Sequence, residues 1–96
     1  MRLELDGERL RDARLEARFS RRALAEETAR LDPANEGVSA GMIEQYERGK
    51  RSGISAEKLQ LLAEVLAGPG GLGIEPADLL TPAEVASAAL IAAGKG

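Results

Sequence analysis

The sequence predicts an all-helical domain, and three observations carry that prediction. Apolar residues recur at three- and four-residue spacing along most of the chain, as they do on the buried face of an amphipathic helix. Serine or threonine stands before four of these stretches, at the position expected of a helix N-cap. Only 2% of the 96 residues are aromatic, so the core must consist of Leu, Ile, Val and Ala.

The first third of the chain predicts two helices. Residues 1–6 alternate leucine with charge and form either a short strand or an ordered arm. The first helix is predicted over residues 7–18. Ser20 is the predicted N-cap of a second helix running from Arg21 to about Arg30. Its inward-facing residues are expected to be Ala23, Leu24, Thr28 and Leu31.

The middle of the chain predicts a loop followed by two more helices. Residues 32–37 contain Pro, Asn and Gly, which favour a loop. Ser39 is expected to cap a third helix that ends at Gly49 and buries Met42, Ile43 and Tyr46. Residues 51–54 are predicted to form a turn. Ser55 then caps a fourth helix, over about residues 56–66, whose buried face is Leu59, Leu62, Ala63 and Leu66.

The last third of the chain begins with a glycine-rich loop over residues 67–73. A short fifth helix is predicted over residues 76–80. Thr81, Pro82 and Glu84 have the pattern of an N-cap, a first-turn proline and a capping-box residue. They predict a sixth helix that runs to about residue 93.

Composition excludes several classes of function. The chain contains no cysteine and no histidine, which removes disulfides, thiolate nucleophiles, most zinc sites and imidazole acid–base chemistry. We therefore expect no catalytic residues, no metal and no cofactor, and the protein is not expected to be an enzyme. Because no apolar run approaches the roughly 20 residues that span a bilayer, we expect a cytoplasmic protein without a membrane partner.

Charge is unevenly distributed along the chain. The net charge is −3, but residues 9–22 carry +4 and residues 48–58 carry +3, whereas residues 59–96 carry −3. Such a division allows a basic face on an acidic protein.

Two short helices at this spacing, the second of which ends sharply at a glycine, are typical of a helix-turn-helix. In this respect residues 8–80 resemble the Cro and phage-repressor (XRE-like) type of helix-turn-helix regulator. The resemblance rests on the segments Leu10-Arg11-Asp12-Ala13-Arg14, Phe19-Ser20-Arg21-Arg22-Ala23-Leu24-Ala25-Glu26, Gly37-Val38-Ser39, Leu59-Gln60-Leu61-Leu62-Ala63-Glu64-Val65-Leu66 and Ala77-Asp78-Leu79-Leu80. The most specific segment is Ile43-Glu44-Gln45-Tyr46-Glu47-Arg48-Gly49-Lys50-Arg51.

The resemblance implies a five-helix domain over residues 1–80, plus an additional C-terminal helix and tail over residues 81–96. It also implies that the protein is a sequence-selective regulator of transcription, a repressor, that binds double-stranded DNA with helix 39–48 in the major groove. Arg14 and Glu47 match a structural ion pair of the family.

Residues for DNA contact follow from the same alignment and from side-chain chemistry. The predicted base-reading residues are Ala40, Gly41, Glu44, Gln45 and Arg48. The predicted phosphate contacts are Ser20, Arg21, Arg22, Ser39, Lys50 and Arg51. Among the base readers, Gln45 can pair with adenine and Glu44 can accept from cytosine.

Two features depart from the family. Residues 28–37 hold about eight more residues than the family's usual turn, with the insertion at about residues 29–37, so that either helix 2 is longer or a loop lies beside the DNA. Ala40 and Gly41 replace long polar side chains, so selectivity is expected to rest partly on DNA shape.

The sixth helix is apolar almost all round and must be covered. Either it packs on its own domain or it forms a homodimer through Val85, Ala88, Ala89 and Ile91, and we expect the homodimer. A second reading of the whole chain is a protein-interaction module, such as an antitoxin-like partner, that keeps the helix-turn-helix fold but binds another protein. The acidic net charge favours this alternative.

Overall fold

The computed structural model describes residues 2–68 and 74–85. In chain order the elements are β1 (Arg2–Glu4), α1 (Gly7–Glu16), α2 (Arg21–Leu31), α3 (Ala40–Glu47), β2 (Gly53–Ser55), α4 (Ala56–Ala67) and a 3-10 helix (Pro76–Leu79). Residues 82–85 form a further helical turn. The described part of the chain is therefore mostly helical, as predicted, with a two-stranded sheet added to it.

Side-chain caps determine where the helices begin. Three serine hydroxyls each accept a hydrogen bond from the amide three residues further on, at 3.0–3.2 Å: those of Ser20, Ser39 and Ser55. These three predicted caps are confirmed, and each one satisfies an amide that has no partner within its helix. α1 begins after Asp6, whose carboxylate accepts from the amide of Glu8 at 3.0 Å. The Asp6 cap was not predicted from the sequence.

α1 ends two residues earlier than predicted. Its last residue is Glu16, and Arg18 has a left-handed backbone with φ 63°. The amide of Phe19 donates to the carbonyl of Arg14 at 3.1 Å, which closes the end of the helix. The prediction of a helix to residue 18 is wrong because this backbone turn, and not a proline or glycine, stops it.

The amino-terminal segment is a strand. β1 pairs antiparallel with β2, with Leu3 opposite Ile54, and the amide of Leu5 donates to the carbonyl of Ser52 at 2.8 Å. The prediction of a turn over residues 51–54 is therefore wrong for residues 53 and 54, which belong to β2. Ile54 of β2 is 1% exposed. Because its pairing partner, Leu3, lies near the start of the chain, no local sequence pattern indicates β2.

The core lies where the four helices meet. The side chains that are almost completely buried include Leu10, Leu24, Val38, Ile43, Tyr46, Ile54, Leu62 and Leu66. Ala23 and Met42, both predicted to be buried, are half-buried. Leu31 was predicted to point inward but is 45% exposed. It is the last residue of α2 and lies beside the following loop rather than over the core.

The extra residues between the second and third helices are shared between the end of α2 and a loop. α2 extends to Leu31, and residues 32–37 form a loop. The carboxylate of Asp32 accepts hydrogen bonds at 2.9–3.3 Å from three loop amides: those of Ala34, Glu36 and Gly37. These bonds, that from Gly37 above all, hold the pKa of Asp32 below its ordinary value. Gly37 has φ 61°, and a Cβ there would lie 2.4 Å from the nitrogen of Ala29, so the loop closes against α2.

The carboxyl-terminal part begins as predicted. A 3-10 helix occupies Pro76–Leu79, where a short helix was expected. The hydroxyl of Thr81 accepts from the amide of Glu84 at 3.2 Å, and a helical turn follows. Val85 is partly buried against the core.

The continuation of that helix to residue 93 lies outside the described residues, together with three predicted dimerisation residues: Ala88, Ala89 and Ile91. Residues 69–73 of the glycine-rich segment are likewise outside them. Within the described ranges, no helix has the length and apolar character required to cross a membrane.

Candidate nucleic-acid interface

The amino ends of α2 and α3 offer hydrogen-bond donors at the surface. Their caps, Ser20 and Ser39, are exposed, and the two helices pack against each other. The first amides of a helix have no intrahelical partners, and they stand at the positive end of the helix dipole. Two such ends on packed helices provide donors suited to an anion such as a phosphate.

The outer face of α3 carries the predicted base-reading residues. All five are accessible: Gly41, Gln45 and Arg48 are exposed, and Ala40 and Glu44 are partly exposed. Ile43 and Tyr46, on the opposite face, are 0% and 1% exposed. α3 therefore has the division into a buried face and an accessible face that a reading helix needs.

Two contacts on the outer side of α3 join predicted DNA-contacting residues to each other. Glu44 and Arg48 form an ion pair at 3.3 Å, and the Nε of Arg51 donates to the Oε1 of Gln45 at 3.0 Å. The side chains of Glu44 and Arg48 are 43% and 60% exposed, so water screens their attraction, which contributes at most about 1 kcal/mol. Neither contact was predicted from the sequence, because residue type and spacing do not show which of these side chains meet.

Glu47 lies at the carboxyl end of α3, buried against Arg14 of α1. The Nε and Nη2 of Arg14 donate to its two carboxylate oxygens at 2.6 and 3.0 Å, and the two side chains are 8% and 1% exposed. Burial alone would raise the pKa of Glu47, but the hydrogen bonds and charge of Arg14, aided by Arg21, hold it below its ordinary value. This bidentate pair joins the two helices in a fixed geometry.

Arg21, predicted to contact a phosphate, is hydrogen-bonded to Glu47 in this structure. Its Nε donates to the Oε1 of that carboxylate at 3.1 Å, while 40% of its side chain remains exposed. Arg21 therefore holds the start of α2 to the end of α3, a role that sequence reasoning missed. Its position directly after the Ser20 cap still leaves it at the amino end of α2.

The other predicted phosphate-contacting cations are exposed. Arg22 pairs with Glu26 at 3.3 Å, but the two side chains are 88% and 68% exposed. Lys50 and Arg51 follow Gly49, whose φ of 74° reverses the chain. The amide of Lys50 then donates to the carbonyl of Gln45 at 2.9 Å, so these cations lie at the carboxyl end of α3.

Contacts of Gly7 and Tyr46 fix the position of α3 and were missed from the sequence. A Cβ at Gly7 would lie 1.8 Å from the carbonyl oxygen of Tyr46, so the backbone of α1 touches that of α3. The hydroxyl of Tyr46 donates to the carbonyl of Gly53 at 2.7 Å, and burial raises the pKa of this hydroxyl. A glycine in the first turn of a helix, where it weakens the helix, is the signal that could have indicated the close approach.

Comparisons with known protein families, with curated proteins and with solved structures found no match for this chain. Within residues 2–68 and 74–85, no group of three or more Asp, Glu, His or Cys side chains is arranged to hold a metal ion.

Proposed function

We propose that the protein is a sequence-selective regulator of transcription that binds double-stranded DNA through the outer face of α3. The observation that carries this proposal is the accessible face of α3 between the exposed Ser20 and Ser39 helix caps and the exposed Lys50 and Arg51. A reading helix flanked by phosphate-binding groups is the arrangement by which helix-turn-helix proteins enter the major groove. The resemblance of residues 8–80 to Cro and phage-repressor proteins supports the same conclusion.

Phosphate contacts orient the protein on the duplex in this proposal. The amino ends of α2 and α3 donate backbone amides to phosphate oxygens. Arg22, Lys50 and Arg51 add positive charge, and Arg21 contributes the part of its guanidinium that Glu47 does not occupy. The buried pair of Arg14 and Glu47 keeps α1 and α3 in register while these contacts form.

Base contacts supply selectivity. Gln45 hydrogen-bonds to adenine, Arg48 donates to guanine, and Glu44 accepts from cytosine. Ala40 and Gly41 have short side chains that permit a close approach of the helix to the groove, and the rest of the selectivity comes from DNA shape.

In this proposal the protein acts as a repressor that occludes a promoter, and it binds DNA as a homodimer. A single reading helix makes few base contacts, whereas a dimer doubles them over two half-sites. We assign the dimer contact to the residues predicted for it from the sequence, Val85, Ala88, Ala89 and Ile91, of which only Val85 lies within the described residues.

Selection of bound duplexes from a random DNA pool tests the proposal. The purified protein is expected to enrich a two-fold symmetric site and to lose affinity steeply between about 50 and 200 mM salt. Failure to bind any duplex at low salt would overturn the proposal.

A matched pair of variants tests whether the assigned surface binds the DNA. Lys50→Ala should reduce the slope of log affinity against log salt by about 1.8 for the dimer, because one phosphate contact, at about 0.9 each, is lost in each half-site. The control is Arg30→Ala, which removes an equal charge from the far end of α2, where Arg30 is 73% exposed and paired with Glu27. It should leave the slope unchanged. Equal effects of the two variants would contradict the assignment of the surface.

A second candidate function is the binding of another protein, and a groove of about 510 Å³ between the 32–37 loop and α4 favours it. Its apolar lining includes Leu31 and Leu61, and its acidic residues are Asp32, Glu57 and Glu64. Charge complementarity suits a helical segment with leucines flanked by lysines. A synthetic Leu/Lys peptide should shift the NMR signals of Leu31 and Leu61, whereas a Leu/Glu peptide of equal length should not. Equal shifts with both peptides, or none, would exclude this function.

A further inference from the structure

Arg51 reaches back to Gln45 across the end of α3. Its Nε donates to the side-chain Oε1 of Gln45 at 3.0 Å. The backbone supports this contact, since the amides of Lys50 and Arg51 both point at the carbonyl of Gln45, at 2.9 and 3.3 Å. The turn at Gly49 therefore brings the cation and the amide together in the folded backbone itself.

The same guanidinium also acts by its charge on a buried group. The charge of Arg51 acts on the hydroxyl of Tyr46, where burial raises the pKa and Arg51 opposes that rise. Tyr46 is 1% exposed, and its hydroxyl is fixed by the hydrogen bond to Gly53. Arg51 thus donates to the exposed Gln45 and acts by its charge on the buried Tyr46.

The contact determines which end of the Gln45 amide faces outward. A free glutamine amide can rotate by half a turn and exchange its oxygen, an acceptor, for its NH₂ group, a donor. With Arg51 in place the oxygen stays toward the cation, because the rotated amide would direct its N–H donors at another donor. The NH₂ group and the second lone pair of Oε1 then remain available to a base.

We propose that Arg51 is a positioning residue that sets the base preference of Gln45 by holding its amide in one orientation, without touching the base itself. This inference rests on the proposed DNA-binding function. It goes beyond that function because it makes the selectivity at one base pair depend on a side chain otherwise assigned to phosphate contact. An amide held in one orientation discriminates between bases, whereas a rotating one accepts several.

The test measures base preference separately from overall affinity. Wild-type protein and three variants, Gln45→Ala, Arg51→Lys and Lys50→Ala, are each used to select duplexes from a random pool. Arg51→Lys keeps the positive charge but loses the Nε–H donor. It should reduce the preference at one position of each half-site on the order of tenfold, as Gln45→Ala does, while the salt dependence stays as in the wild type. Lys50→Ala, the control, should lower the salt slope and leave the preference intact.

The double variant, Gln45→Ala with Arg51→Lys, completes the test. If Arg51 acts through Gln45, the double variant has no less preference at that position than Gln45→Ala alone. Full retention of base preference in Arg51→Lys, or losses that add in the double variant, would overturn the inference while leaving the DNA-binding proposal standing. If the wild-type protein binds no duplex even at low salt, both are overturned.

Discussion

On the inner side of α3, Glu47 has 1% of its side chain exposed and is bonded to Arg14 and Arg21. On the outer side of the same helix, Glu44 pairs with Arg48 while 43% and 60% of their side chains are exposed. Loss of one partner leaves a buried charge without compensation in the first case and a hydrated charge in the second. The comparison teaches that burial decides whether an ion pair holds the fold or can exchange its partner at little cost.

The largest expected effect separates the two glutamates. Glu47→Ala should lower the free energy of unfolding by about 3–5 kcal/mol, because it leaves Arg14 buried without a counter-charge. Glu44→Ala, the matched control on the outer side, should change it by less than about 1 kcal/mol. Urea denaturation measures both values. Similar losses in the two variants would show that the inner and outer pairs do not differ as described.

A second test compares two glycines: Gly7 of α1, which touches the inner side of α3, and Gly41, which lies on the outer side of α3. Gly7→Ala should destabilise the fold by about 1–3 kcal/mol or more, since the new methyl group would lie 1.8 Å from the Tyr46 carbonyl and must push α1 away from α3. Gly41→Ala meets only the Ser39 hydroxyl, at 4.0 Å, and should stabilise the helix by up to about 1 kcal/mol.

Thermal melts of both glycine variants measure the difference. A Gly7→Ala protein that melts at the wild-type temperature would contradict the backbone contact between the two helices. The Gly41→Ala variant also tests the groove-facing role, because it should weaken DNA binding while its melting temperature is unchanged or higher.

A smaller effect is expected in the pH dependence of stability, which tests the buried Glu47 pair separately. The pKa of Glu47 in the folded protein is lower than its ordinary value near 4.5. The unfolded chain therefore binds a proton first as pH falls, and the stability from this pair is complete above about pH 4.5 and is lost as pH falls through the folded pKa.

Glu47→Gln tests this prediction, because it removes the titrating group and keeps its shape. The wild-type melting temperature should fall more steeply than that of Glu47→Gln between pH 5 and the acid limit of folding. Some slope should remain in the variant, since the pKa of Asp32 is also lowered. Identical pH profiles for the two proteins would show that Glu47 does not titrate as described.

Local chemistry predicted the helix starts well and the strands poorly. A serine cap acts over three residues, so Ser20, Ser39 and Ser55 could be recognised in the sequence. The alternation of residues 1–6 left β1 as one of two alternatives, but β2 has three residues, too few to show an alternating pattern, and its partner strand lies near the start of the chain. The end of α1 was missed for a similar reason, because Arg18 takes a left-handed backbone without the glycine that usually marks it.

The accessible residues of the candidate site and one of its contacts, the pair of Arg14 and Glu47, could be predicted from the sequence and its family resemblance, but the other contacts could not. The accessible face of α3 follows from helical spacing, since Ile43 and Tyr46 define its buried side. The partners of Arg21 and Arg51 could not be found in this way. Both have the composition of surface cations, and only the packing of α2 on α3 and the turn at Gly49 bring them to Glu47 and Gln45.

The sequence by itself determined the helical class, the serine and threonine helix caps, the core-facing side of α3 and the exclusion of thiol and imidazole chemistry, because each depends on residue type or on spacing within a few positions. The tertiary structure alone decided the β1–β2 pairing, the contact of Gly7 with Tyr46 and the second partner of Glu47, Arg21. It also decided the orientation of Gln45. These depend on atoms brought together from distant or turned parts of the chain, where a difference of an ångström separates a hydrogen bond from a clash.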